Sequence, residues 1–160
     1  MTPRVFLSHK NEDSPTALAV ADRMRRGGLE VYLDVIDTHL RDSGPDLADY
    51  LRSQLAKCTQ LLAVISNRTT TSWWVPWEIG VATEKERFLA SFVAQDASVP
   101  EYLEKWPYLR TMADVDVYVT QSKRQQMLFE ERSRNVDVAS ARTTAFRQFH
   151  TSLKASLGQR

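Results

Sequence analysis

The chain contains the unbroken apolar run Leu61-Leu62-Ala63-Val64-Ile65. Such a run is typical of a strand that is covered on both faces, as strands of parallel sheets are. Short apolar runs alternate with longer amphipathic stretches along the whole sequence, which is the pattern of an α/β domain. The sequence predicts strands at Arg4–Ser8, Glu30–Asp34, Gln60–Ser66, Phe88–Ala94 and Asp114–Val119.

Helices are predicted in the stretches between the strands. The first is predicted over Ser14–Met24, which begins with a serine and a proline and is followed by the pair Gly27-Gly28. The other helices follow from apolar residues at helical spacing. They are predicted at Leu47–Leu55, Pro76–Arg87, Lys123–Arg134 and Arg142–Leu157, with a short helix and a loop over Pro100–Leu109.

Length and composition predict a single globular domain over residues 1–160, since 42% of the 160 residues are apolar and 26% are charged. The formal net charge is +1 and the basic residues are spread along the chain, so neither nucleic acid nor a membrane is an expected partner. A single cysteine, Cys58, rules out an internal disulfide, and three scattered histidines offer no metal-ligand spacing. We expect a cytoplasmic protein without a metal or cofactor.

Ligands of open α/β sheets bind beyond the carboxyl ends of the strands. Three polar segments leave those ends here, at Ser8–Asp13, Asp34–Gly44 and Asn67–Val75. The second segment is longer than a simple strand–helix turn, which favours a binding loop. The sequence therefore predicts one site at this edge, built from all three segments.

The stretch Ser72–Gly80 (SWWVPWEIG) brings three of the four tryptophans next to one acid, Glu78. Pro76 suits the first position of a helix, which would place Glu78 in the first turn, where the helix dipole keeps a carboxylate ionised. Aromatic faces beside a carboxylate suit a flat ring as ligand. The alternative from the residues alone is that the acid only complements the dipole and that the tryptophans belong to the core.

The sequence resembles the Toll/interleukin-1 receptor (TIR) domains, and in particular their bacterial NAD-cleaving members. The resemblance rests on Val5–Asp13, on Val31–Asp34 with the polar loop up to Pro45, and on Ser72–Glu78, where a tryptophan stands four residues before the glutamate. It runs from about Arg4 to Val119, with C-terminal helices over 121–157. It implies the TIR fold, a flavodoxin-like, doubly wound parallel sheet of five strands flanked by helices.

The resemblance also implies an activity, NAD+ glycohydrolase or ADP-ribosyl cyclase, with NAD+ as substrate rather than as cofactor. Expulsion of a neutral nicotinamide needs no general acid, so one carboxylate suffices, and the resemblance assigns that role to Glu78. Trp74 would stack on a planar ring of the substrate. The remaining binding residues implied are Ser8, His9, Lys10, Asp34 and Trp73.

Self-association with other TIR domains is implied as well, through the loop that carries Asp37, His39, Arg41 and Asp42. Members of this size commonly serve bacterial antiviral defence, either by depleting NAD+ or by making a cyclic ADP-ribose-type signal that a downstream effector senses. The product is left open between ADP-ribose, a cyclic isomer and a conjugate.

Three other classes compete with this interpretation. A TIR module that only assembles with like domains is the non-enzymatic alternative, and a nucleoside deoxyribosyltransferase, which also uses one glutamate, is the enzymatic alternative. A phospho-accepting response regulator is excluded, because it needs an acidic pair after the first strand and an aspartate after the third. Ser8-His9 and Ser66-Asn67 occupy those places.

Overall fold

A computed structural model describes residues 2–35, 46–69 and 74–160, apart from the side chains of Leu47 and Trp74. The sequence predictions for Asp37, His39, Arg41, Asp42 and Trp73 lie outside the described residues. The strands are β1 (Arg4–His9), β2 (Glu30–Val35), β3 (Gln60–Ile65), β4 (Phe88–Val93) and β5 (Tyr108–Leu109). The helices are α1 (Ser14–Arg26), α2 (Leu47–Ala56), α3 (Trp74–Glu84), α4 (Met112–Arg132) and α5 (Val138–Ser156).

The five strands form one parallel sheet in the order β2-β1-β3-β4-β5. This strand order is that of the flavodoxin-like doubly wound fold, with the order reversing between β1 and β3. The predicted fold class is therefore confirmed. β3 and β4 are buried at every position, as their unbroken apolar sequences predicted.

The prediction of a fifth strand at Asp114–Val119 is wrong, because this segment lies within α4. Thr111 and Asp114 form a capping box, in which each side chain accepts a hydrogen bond from the other residue's backbone N–H and fixes the helix start. Val115, Tyr118 and Val119 then form the buried face at helical spacing. The edge strand is instead the two-residue β5, within the segment predicted as a short helix and a loop.

Each face of the sheet has its own apolar core. One core packs α1, α4 and α5 against side chains such as Val5, Leu62 and Ala90. The other packs α2 and α3 against the alternate strand residues, such as Phe6, Leu61 and Leu89. A functional side chain on a strand therefore faces one set of helices or the other according to its position along the strand.

The pair Gly27-Gly28, which predicted the end of the first helix, forms the turn that ends α1. The N–H of Leu29 bonds the carbonyl of Met24 and the N–H of Gly28 bonds that of Arg25, which is a Schellman turn. Gly28 has φ 92°, a backbone conformation that glycine adopts without strain. A Cβ at Gly27 would lie 2.6 Å from Cγ1 of Val119, so glycine also allows α1 and α4 to approach closely.

Cys58, Trp106 and His150 are buried in the core. Nε2 of His150 accepts a hydrogen bond from the N–H of Leu89 at 3.1 Å, and burial lowers the pKa of His150 to about 4. His150 is thus a neutral, bonded core histidine. No helix in the described part of the chain is long and apolar enough to cross a membrane.

Candidate active site

Glu78 lies against the carboxyl-terminal part of the sheet, in front of β1 and β2. In the sheet, Ser8 pairs in register with Asp34 on one side and with Ala63 on the other. These residues point to the same face as Phe6 and Leu61, which is the face that α3 covers. The register of the strands therefore brings Ser8 and Asp34 to the side of Glu78, although they are distant in sequence.

The position of Glu78 on α3 explains its burial. Val75, Ile79 and Ala82 form the buried stripe of this helix, and Glu78 lies three residues after the first of them on the same stripe. Helical spacing thus turns the carboxyl group towards the sheet. This stripe is a sequence signal that could have predicted a buried rather than an exposed glutamate.

The prediction that Glu78 stands in the first turn is wrong, because α3 begins at Trp74, two residues before Pro76, and has no acidic residue in its first turn. Pro76 is the third residue of the helix, where a backbone N–H still has no intrahelical partner, so the proline fits without breaking a bond. Trp74 stands four residues before Glu78, about one helical turn earlier in α3.

The carboxyl group of Glu78 is fully buried, with 0% of the residue exposed. The hydroxyl of Ser8 donates a hydrogen bond to its Oε2 at 2.6 Å. Its Oε1 is buried without a hydrogen-bond partner among the described residues. Among the described residues, one oxygen of the carboxyl group is thus held by a hydrogen bond and the other is not.

Burial raises the pKa of Glu78 to about 8, the hydrogen bond from Ser8 opposes this effect, and the charge of Asp34 adds to it. The sequence prediction that Glu78 stays ionised near neutral pH is therefore wrong. It assumed a solvated helix start, whereas the carboxyl group is enclosed by the sheet and by a second acid. Asp34, itself only 1% exposed, acts on Glu78 in a way that sequence reasoning missed.

His9 and Lys10, also predicted to bind substrate, are placed differently from Ser8. His9 is the last residue of β1 and is buried, and the alternation of side chains directs it to the face opposite Ser8. Lys10 follows the strand and is half-buried. The structure brings Ser8, Asp34 and Glu78 together, and it does not bring His9 to the same face.

A second set of polar residues ties two loops together at this edge. The hydroxyl of Ser66, directly after β3, donates a hydrogen bond to Oδ2 of the buried Asp13 at 2.9 Å. Nη1 of Arg68 lies 3.8 Å from Oδ1 of the same carboxylate, and Thr69 bonds the backbone of Ser66. These contacts fix residues 66–69 to Asp13, in the segment that follows β1.

The described residues contain no group of three or more His, Cys, Asp and Glu side chains that could hold a metal ion. What the site does contain is a desolvated carboxyl group, a hydroxyl bonded to it and a second buried carboxyl nearby. The desolvated carboxyl group of Glu78, once ionised, interacts strongly with a positive charge close to it, because little water is present to screen the attraction. The site is suited to binding and stabilising a cation.

Comparisons with known proteins place this chain in a family. A protein of Bacillus cereus (strain MSX-D12), named "Probable 3' cyclic ADP-D-ribose synthase ThsB'", is 25% identical over 139 residues, which cover 78% of this chain and 72% of that protein. Among solved structures, a diflavin flavoprotein A3 from Nostoc sp. is 13% identical and superposes with a TM-score of 0.47 over 79% of this chain and 99% of that chain. The sequence profile of the TIR domain matches residues 5–128, more than half of the chain, and the protein therefore belongs to the TIR domain family.

Proposed function

We propose that this protein cleaves the bond between nicotinamide and ribose in NAD+ and that Glu78 is the catalytic residue. The observation that carries the proposal is the fully buried Glu78, held by Ser8 at the carboxyl edge of a TIR domain. The relative named as a cyclic ADP-ribose synthase supports the same chemistry. A role in bacterial antiviral defence, with a downstream effector sensing the product, is part of this proposal.

The proposed reaction requires only one carboxylate. The bond between ribose C1′ and the nicotinamide nitrogen breaks, and its electron pair stays on the nicotinamide, which leaves as a neutral ring. Positive charge then develops on the ribose, and the ionised Glu78 stabilises it or bonds to it. An oxygen of water or of the substrate itself forms the new bond to C1′ and loses its proton, which gives ADP-ribose or a cyclic isomer.

The raised pKa of Glu78 fits a carboxylate that acts on a cation. In the free protein, burial favours the neutral acid, so the group costs less to keep buried. A bound nicotinamide ring carries a positive charge, which favours the ionised form of a neighbouring carboxyl group. Substrate binding is therefore expected to release a proton and to generate the active form of Glu78.

The two alternatives make different predictions about NAD+. A TIR module that acts only as a scaffold leaves NAD+ intact, and a nucleoside deoxyribosyltransferase transfers deoxyribose between bases instead. The desolvated Glu78 favours an enzyme, since a carboxyl group buried with one oxygen unpartnered among the described residues is costly for a protein that only assembles.

The test is to incubate wild type, Glu78→Gln and Glu84→Gln with NAD+ and to identify the products by mass spectrometry. Glu84 is an exposed acid on the same helix and serves as the matched control. We expect wild type and Glu84→Gln to release nicotinamide and Glu78→Gln to lose at least about 100-fold in rate. Turnover by Glu78→Gln at the wild-type rate would disprove the catalytic role, and absence of turnover in wild type at high protein concentration would favour the scaffold.

The same assay tests the stacking role proposed for Trp74. Its position one turn before Glu78 supports that role. Trp74→Ala is expected to raise KM for NAD+ with a smaller effect on the unfolding midpoint, and Trp74→Phe to restore part of the affinity. An unfolded Trp74→Ala would instead assign this tryptophan to the core.

A further inference from the structure

A cavity of about 170 Å³ lies at the amino edge of the sheet, at the opposite ends of the strands from Glu78. Thr59 and Phe88, at the starts of β3 and β4, form its inner wall, and α4 and α5 close it from one side. Phe129 and Ala145 complete an apolar floor. The cavity is too small for a dinucleotide such as NAD+, since pockets for drug-sized ligands already occupy about 300–1,000 Å³.

Two arginines, Arg87 and Arg142, and one acid, Glu86, line this cavity. Nε of Arg87 is buried and has no hydrogen-bond partner in the described part of the chain. Burial, and then the charge of Arg142, lowers the pKa of the Arg87 guanidinium. Neither arginine takes part in an ion pair within residues 2–35, 46–69 and 74–160.

The acid at this cavity is already engaged by another side chain. Oε1 of Glu86 accepts a hydrogen bond from the hydroxyl of Thr143 at 2.9 Å. Glu86 therefore ties the end of α3 to α5 and holds the rim of the cavity in place. Two arginines against one glutamate leave the lining of the cavity with a net positive charge.

The turn after α3 places Glu86 in a backbone conformation that is uncommon for a residue other than glycine. The N–H groups of Arg87 and Glu86 bond the carbonyls of Ala82 and Thr83, which is the same Schellman turn that ends α1. At α1 the residue with positive φ is Gly28, whereas here it is Glu86, at φ 50°. A non-glycine residue in this conformation is strained, and such strain concentrates at functional sites.

We propose that this cavity binds a small organic anion, with its carboxylate or phosphate group between Arg87 and Arg142 and its apolar part against Phe88 and Phe129. Guanidinium groups present planar, paired donors that match both kinds of anionic group. Arg87 and Arg142 both line the cavity and supply the donors for the anionic group. An apolar part of about one ring fits the remaining volume.

The experiment is a ligand-observed NMR titration with benzoate, with its neutral analogue benzamide and with inorganic phosphate. It uses wild type, Arg142→Gln and Arg147→Gln. Arg142 and Arg147 are both exposed arginines on α5, and only Arg142 lines this cavity, so Arg147→Gln is the matched control. We expect wild type and Arg147→Gln to bind benzoate with a Kd that is roughly millimolar or tighter.

Arg142→Gln is expected to weaken benzoate about tenfold, because a charge-assisted hydrogen bond is lost. Benzamide is expected to bind far more weakly to wild type than benzoate does. Equal affinity of benzoate and benzamide, or of Arg142→Gln and wild type, would overturn the proposal. An absence of benzoate binding to wild type would also overturn the proposal. Tighter binding of phosphate than of benzoate would overturn it too, because the apolar floor would then have no role in binding. None of these results depends on NAD+ cleavage.

Discussion

The contact between Ser8 and Glu78 joins two residues that lie 70 positions apart in the sequence. Ser8 touches the carboxyl group rather than the proposed reacting atoms, so its expected role is to position and ionise Glu78. The hydrogen bond favours the charged form of Glu78, whereas burial and Asp34 favour the neutral form. The balance of these effects sets the pH at which the carboxylate is available.

We predict that Ser8→Ala moves the pH dependence of kcat/KM to higher pH. Activity in wild type is expected to rise with pH through about 8, as Glu78 ionises in the free protein. Removing the hydroxyl removes the interaction that lowers this pKa, so a higher pH is needed for the same ionised fraction. The measurement is the pH–rate profile of NAD+ cleavage.

Ser91→Ala is the matched control for that prediction. Ser91 pairs in register with Ala63 on the same row of the sheet as Ser8, is 1% exposed, and its hydroxyl has no partner among the described residues. Its removal is expected to leave the midpoint of the profile unchanged. A Ser8→Ala profile with the wild-type midpoint, even at reduced rate, would mean that Ser8 does not set the ionisation of Glu78.

At the scale of elements, the capping box of α4 decides between a strand and a helix. Val115, Val117 and Val119 alternate with polar residues, which is also the pattern of a half-buried strand. The reciprocal hydrogen bonds of Thr111 and Asp114 stabilise the helix start and therefore favour the helix. The two patterns overlap in the same residues, and the cap resolves the ambiguity.

We predict that Thr111→Ala lowers the free energy of unfolding by roughly 0.5–2 kcal/mol, because the helix loses a side-chain cap. Thr120→Ala is the control, since Thr120 is also exposed on α4 and bonds only a backbone carbonyl within the helix. It is expected to change stability by no more than a few tenths of a kcal/mol. Chemical denaturation monitored by circular dichroism measures both. Equal losses in the two variants would show that the cap does not fix the helix.

At the scale of the whole molecule, two buried titratable groups act on stability in opposite directions. Folding raises the pKa of Glu78 from 4.5 to about 8, so its contribution to stability is complete at low pH and is lost as pH rises through that window. Folding lowers the pKa of His150 from 6.5 to about 4, so its contribution is complete above 6.5 and is lost as pH falls. Between about pH 6.5 and 8, only Glu78 of these two groups changes the free energy of unfolding with pH.

We predict that the free energy of unfolding of wild type falls by roughly 2 kcal/mol between pH 6.5 and 8, at about 1.4 kcal/mol per pH unit. Glu78→Gln is expected to remove this fall and to be the more stable protein at pH 8, since it buries no acid. Between about pH 6.5 and 4, the variant should lose stability through His150 as pH falls. Denaturant titrations at each pH give the values, and a wild type with constant stability from 6.5 to 8 would mean that Glu78 ionises normally.

Assembly is the other property of the whole molecule that the family suggests. We predict that the specific activity for NAD+ rises steeply with protein concentration, because Glu78 is inaccessible in the single chain and a neighbouring copy can stabilise an open arrangement. Light scattering over the same dilution series measures the association. Constant activity per molecule, with a monomer throughout, would show that one chain holds a complete site.

The first four strands and most helix positions could be predicted from the sequence, because unbroken apolar runs and paired glycines act locally. β1 to β4 begin at their predicted first residues, and each ends within one residue of its predicted end. β5 could not be predicted in this way, since a two-residue strand has no periodicity of its own and depends on β4 as its partner. The predicted site residues within the described part of the chain lie at the expected edge, but their environments could not be predicted.

The sequence by itself determined the α/β alternation, the edge of the sheet at which the polar loops gather, and Glu78 as the acid beside a tryptophan one turn away. Those features depend on local composition and on the fixed periods of helices and strands. Only the tertiary structure decided that Glu78 is buried, that Ser8 bonds it and that Asp34 raises its pKa. Burial and electrostatic interaction depend on which distant residues share a face of the sheet, and the strand register that sets this arises only when the whole domain folds.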